Sequence, residues 1–131
     1  MIGLDTNVLV RYLTQDDPEQ SRTATDLIER RLSEDEPGFI SVVAMAETVW
    51  VLERAYGLGG GDIAAAVERV LQADVLVVEN EQEVFAAMTA LKDGRGSFAD
   101  ALISALDASA GCTHTVTFDR KALRLAGFTL P

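Results

Sequence analysis

The 131-residue sequence contains a single cysteine, Cys112, and a single histidine, His114. One cysteine excludes an internal disulfide, and one Cys with one His supplies too few ligands for a Cys/His zinc centre. Any metal must therefore be held by oxygen. Long apolar runs are also missing. None approaches the roughly 20 residues of a membrane-spanning helix, and the chain opens without a basic, apolar leader. These gaps give the expectation of a soluble, cytoplasmic protein with no membrane association. Positive charge is scarce as well, with 11 Lys and Arg against 21 Asp and Glu and a net charge of −10. That balance opposes polyanion binding unless the acid is concentrated where divalent cations sit and reverse the local field. It also suits a basic protein partner.

What is present is apolar material, 48% of the chain, enough to bury a core without staples and to make one domain over residues 1–131. Met1 to Asp5 reads as a short strand, and Val8 to Leu13 as the helix after it, with Asp5 at the junction. Pro18 suits a first helical turn, and Ala24, Leu27, Ile28 and Leu32 give an amphipathic helix over the stretch to Glu36. Phe39 and Ile40 form a strand. Ser41 then caps a long helix to about Tyr56. Asp62 is placed to cap a helix to about Ala73, and Val75 to Val78 reads as a strand buried on both faces. Asn80 is placed to cap a helix from Glu81 to Lys92, and Ser97 opens another to about Ala110, stopped by Gly111. A strand at Thr115 to Thr117, a short helix over Lys121 to Ala126 and a strand at Phe128 to Leu130 close the chain. This alternation predicts an α/β fold, a three-layer α/β/α arrangement around a central, mostly parallel sheet of about five short strands.

In parallel sheets ligands gather beyond the carboxyl ends of the strands, which draws attention to Asp5 and Asp119. Each also suits a helix N-cap. Glu47 lies between Val43, Trp50 and Val51 on a helix that reads as apolar around almost its whole circumference. A carboxylate there is expensive unless it meets a cation or an opening in the core; an exposed Glu or an ion pair with Arg54 is the plainer alternative. Asp100 follows Ser97 in a Ser-x-x-Asp arrangement close to a capping box. It also shares a stripe with Ser104 and Asp107, while Leu102, Ile103, Leu106 and Ala110 supply the packing face. Asp107 reads as a solvated or supporting acid. Two carboxylates about 4 Å apart repel by roughly 4 kcal/mol at an effective dielectric near 20, so a cluster of them is stable only with cations or protons. Mg²⁺ and Mn²⁺ suit such all-oxygen sites.

Four stretches in order resemble the PIN-domain ribonucleases, and within them the toxins of VapC type: Ile2-Gly-Leu-Asp5-Thr6-Asn7-Val8-Leu9, Ser41-Val-Val-Ala-Met-Ala-Glu47, Ser97-Phe-Ala-Asp100-Ala101 and Thr115-Val-Thr117-Phe-Asp119-Arg120. The resemblance covers nearly the whole chain. It implies that Asp5, Glu47, Asp100 and Asp119 are the catalytic and metal-holding quartet, with Asn7 and Thr117 as polar supporting residues. It further implies hydrolysis of RNA with Mg²⁺, or Mn²⁺ in its place, dimerisation, and inhibition by a cognate VapB-like antitoxin in a toxin-antitoxin hetero-oligomer. Asp5 and Asp100 are the expected direct ligands, with Glu47 and Asp119 completing the set or orienting water. Arg11, Arg95, Arg120 and Lys121 lie near these acids in sequence and are candidates for RNA backbone contacts, alongside ordinary surface roles. Histidine-based RNA cleavage is disfavoured, because it needs both an acid and a base and only His114 is present. Three alternatives stand beside this reading: a non-toxin PIN nuclease, a binding-only relative, and a receiver-type acidic Mg²⁺-binding signalling domain. The receiver reading lacks a lysine directly after Thr115 to Thr117.

Overall fold

The computed structural model describes all 131 residues. Strands and helices alternate along the chain: β1 (Ile2–Gly3), α1 (Thr6–Thr14), α2 (Pro18–Asp26), β2 (Gly38–Ile40), α3 (Val42–Arg54), α4 (Gly60–Gln72), β3 (Leu76–Val78), α5 (Glu81–Lys92), α6 (Phe98–Ser109), β4 (Thr115–Val116) and β5 (Phe128–Thr129). A π-helical turn, Leu27–Arg31, continues α2, and a 3-10 turn, Arg120–Arg124, joins β4 to β5. All pairings are parallel, as the three-layer α/β/α reading expects. The five strands divide into a three-stranded sheet in the order β1-β2-β3 and a separate pair β4-β5.

Leu9, Ile40, Leu52, Ile63, Val84 and Met88 are completely or almost completely shielded from water and join α1, β2, α3, α4 and α5 into one core. Each such side chain contributes on the order of 1.5–3 kcal/mol by burial. β2 lies at the centre of the larger sheet, and Gly38 is there for lack of room. A Cβ on Gly38 would stand 2.8 Å from Leu32, 2.9 Å from Leu4 and 3.1 Å from Leu76.

Several local expectations change. The helix from Pro18 stops at Arg31 rather than Glu36, because Leu32 turns to extended backbone and Ser33 closes a turn by accepting the Glu36 N–H at 3.1 Å. α4 begins earlier than expected, with Gly59 at its N-cap and Asp62 inside the first turn, where its charge complements the helix dipole. β3 is an edge strand. Leu76 and Val78 are buried, but Val77 is 42% exposed, so the run is not covered on both faces. α6 packs through Phe98, Ala101 and Leu102, whereas Ile103 and Ala110 are exposed.

Two side-chain bonds fasten the small sheet to α6. The Thr115 hydroxyl donates to the Asp107 carboxylate at 2.7 Å, and the Ser104 hydroxyl donates to the Ala126 carbonyl at 3.0 Å. Asp107 and Ser104 are thereby occupied in positioning β4 and β5. A third fastening is steric, since a Cβ on Gly96 would stand 2.7 Å from the Leu125 side chain, so the loop before α6 lies directly on the 3-10 segment.

Candidate active site

Asp5 follows β1 and occupies the N-cap position of α1, but its side chain makes no capping bond. Its backbone carbonyl accepts from Val8 and Leu9 instead, at 3.1 and 3.3 Å. The carboxylate is exposed and free. The next residue, Thr6, is 5% exposed, and its hydroxyl donates to Glu47 Oε1. Sequence reasoning passes over Thr6, although a hydroxyl directly beside the first acid, ahead of the buried Leu9 and Val10, is the available signal.

Glu47 is not buried, contrary to what the apolar composition of its helix suggests. α3 buries Ala44, Met45, Thr48, Val49 and Leu52 on one side, and Glu47 is exposed on the other. Val43 is 73% and Trp50 60% exposed on the same face, so apolar composition does not mean burial there. Trp50 lies under the Arg54 guanidinium, 6.0 Å from ring centroid to Cζ. Glu47 thus bears no large desolvation cost. Its position is set by Thr6, which links the acid on α3 to the residue following Asp5.

Asp100 and Asp119 face a common space. Both line one cavity of about 530 Å³, together with Ser97. The Ser97 hydroxyl accepts the Asp100 N–H at 3.1 Å and starts α6, so half of the anticipated capping box forms. Asp100 is half-buried and its carboxylate makes no hydrogen bond. Asp119 is exposed and does act as a cap, accepting the Lys121 N–H through Oδ1 at 2.9 Å. Thr117 supports it: the Thr117 hydroxyl accepts the Asp119 N–H at 3.0 Å and fixes the loop beyond β4. Asn7 is exposed and lines a separate groove of about 540 Å³ between α1 and α2.

The structure thus ties Glu47 to Thr6, the neighbour of Asp5, and places Asp100 and Asp119 on one cavity, but does not gather the four acids into a single cluster. α3, which carries Glu47, touches both α1 and α6. No three carboxylates come close enough to form a complete ligand set. The donors themselves fit a hard divalent ion. Mg²⁺ keeps several waters and is commonly bound through one or two carboxylates, which the Asp100 and Asp119 pair supplies.

Two other acids are committed elsewhere. Glu79, just after β3, accepts the Val42 N–H at 2.9 Å and helps cap α3. Asp16 accepts from Tyr56 at 2.5 Å and from Thr14 at 2.9 Å, and these bonds, with nearby Arg11, hold its carboxyl below the usual aspartate range. Arg11 also bonds Gln20 at 2.8 Å and Tyr56 at 3.0 Å, so this network ties it down.

Comparison with known proteins bears on the same residues. The family model for the PIN domain matches residues 2–128, a span that contains all four acids. A VapC ribonuclease from Aquifex aeolicus (strain VF5) is 28% identical over 122 residues, covering 93% of this chain and 90% of its own.

Proposed function

This chain belongs to the PIN-domain family, and on that premise we propose that it is a divalent-metal-dependent endoribonuclease, the toxin of a VapBC-type pair in the cytoplasm. The observation that carries the reading is the shared cavity of Asp100 and Asp119, with Asp5 and Glu47 joined through Thr6 on neighbouring helices. The likeness to the Aquifex aeolicus VapC ribonuclease supports RNA as the substrate. In this reading the whole of residues 1–131 is one PIN domain.

Asp5 and Asp100 would hold Mg²⁺ or Mn²⁺, with Asp119 and Glu47 completing the set. When bound, such an ion supplies electrophilic stabilisation of the charge that builds on the phosphoryl oxygens. The chain's own groups do the positioning. Thr6 occupies Glu47 Oε1 and leaves Oε2 to orient water or accept its proton. Asp119 keeps one oxygen free while the other holds the Lys121 N–H. Asn7 and Thr117 support these acids from α1 and from the loop after β4.

A protein partner is supported by the groove between α1 and α2, where Val8, Ala24 and Leu27 offer an apolar floor beside Asn7. The net charge of −10 favours a basic antitoxin segment. Homodimerisation is part of the same proposal and is supported by the exposed apolar side chains of Val43, Trp50 and Phe85. The decisive experiment incubates purified protein with total cellular RNA, with and without Mg²⁺, Mn²⁺ and chelator. Cleavage that needs the metal and disappears in Asp100→Asn is the expected result; cleavage that persists in chelator overturns the metal mechanism. Growth arrest on expression, relieved by a small neighbouring gene product, tests the toxin role, and harmless expression of active enzyme makes it a stand-alone nuclease.

A further inference from the structure

The cavity that holds Asp100 and Asp119 is also lined by Arg95, Lys121 and Arg124, and no apolar side chain contributes to it. In a chain with only 11 Lys and Arg against 21 acids, three cations sharing one cavity with two candidate metal ligands is a concentration of scarce charge. Of the eight cations elsewhere, four have companions. Arg11 is bound by Asp16, Gln20 and Tyr56, Arg30 pairs with Asp26 at 3.1 Å, and Arg54 and Arg69 lie over Trp50 and Tyr12. Lys121 and Arg124 make no ion pair. Arg95 reaches only Asp93, at 3.7 Å between exposed groups, a contact of little energetic weight.

Local geometry explains why these cations share a wall. Lys121 and Arg124 are three residues apart on a 3-10 turn, where side chains at i and i+3 eclipse, so both project from one edge. The turn is anchored at its start by the Asp119 carboxylate on the Lys121 N–H. Arg95 comes from the facing loop, which is seated on Leu125 because Gly96 has no side chain to hold it off.

Resting on the nuclease reading above, we propose that Lys121 and Arg124, with Arg95 opposite, form a phosphate-backbone subsite that holds the RNA strand beside the scissile bond. Carboxylates on one part of a cavity repel a phosphate, whereas unpaired cations on another part attract one. A polyanionic strand satisfies both when its reacting phosphate lies toward the acids and the next phosphates lie along the cations. Arg120, one residue away, does not line the cavity and is outside the subsite.

The test uses fluorescence anisotropy of a labelled oligouridylate in Ca²⁺ over a series of salt concentrations, for the wild type and the double variant Lys121→Gln/Arg124→Gln. The variant should bind about 10-fold more weakly at low salt. Its log K against log salt should be shallower by about 1.4, at about 0.7 per lost phosphate contact on a single strand. KM should rise more than kcat falls, Mn²⁺ affinity measured by electron paramagnetic resonance should be unchanged, and Lys121→Arg should retain binding. Equal affinity and slope in a variant with wild-type Tm overturns the subsite while leaving the nuclease intact. A wild type that neither binds nor cleaves RNA with Mg²⁺ or Mn²⁺ overturns both.

Discussion

Asp5 and Asp119 both stand at N-cap positions, yet only Asp119 uses its carboxylate there. Substitution separates the two roles. Asp5→Asn removes a charge without removing a bond, so stability should stay within about 0.5 kcal/mol of wild type. RNA cleavage should fall by about 100-fold or more, as when one electrostatic partner is deleted from a preorganised site. Asp119→Ala should also lose about 1 kcal/mol of stability with the lost cap, and Asp119→Asn should recover most of it while remaining inactive. Urea titration beside an RNA cleavage assay checks all three, and an active Asp5→Asn protein removes Asp5 from the site. Asp16 offers a test away from the chemistry. Its folded pKa is depressed by Tyr56 and Thr14, so its stabilisation is complete above the ordinary aspartate range and is lost as pH falls through the lower folded value. The Tm of Asp16→Asn should therefore drop less steeply on acidification than that of wild type; parallel curves contradict the assignment.

Among elements, the loop ahead of α6 and the 3-10 turn form the two walls of the cavity, and Gly96 sets their separation. Gly96→Ala pushes a methyl into Leu125, which is 5% exposed. A cost of about 1–3 kcal/mol follows from such overpacking. Adding Leu125→Ala should recover part of it, so the pair shows coupling in a double-mutant cycle, and strict additivity contradicts the contact. At this level the amino-acid sequence is legible wherever the cause is local. α5 spans the range the sequence suggests and Ser41 and Ser97 cap the helices they are expected to cap, because those signals lie within one turn of the chain, whereas Asn80 stands in left-handed backbone and its side chain makes no cap. The π-helical turn at Leu27–Arg31, the open face of Val77 and the exposure of Glu47 depend on what packs against each face, and no periodicity states that. The family resemblance points to the four acids, but the Thr6 bond to Glu47 and the seating of Gly96 on Leu125 are contacts between segments far apart in sequence, which no local signal states.

At the scale of the whole molecule, a net charge of −10 makes general screening the rival explanation for any effect of a divalent ion. The two are separable. An ion bound to the acids at 100 times its Kd stabilises by about 2.7 kcal/mol, a Tm rise on the order of 10 °C for a chain this size. Scanning calorimetry should show that rise with Mn²⁺, a much smaller one with NaCl at equal ionic strength, and none specific to Mn²⁺ in Asp100→Asn. Equal rises with both salts reduce the effect to screening. No helix is long and apolar enough to cross a membrane.

Trp50 is the chain's sole indole, and it stands one helical turn from Glu47 on the open face of α3. If Glu47 helps hold the proposed ion, this indole is its natural reporter. Paramagnetic Mn²⁺ arriving beside Glu47 would quench its emission, whereas diamagnetic Mg²⁺ would not. Occupancy there can accordingly be followed by light in unlabelled protein, with no substrate added.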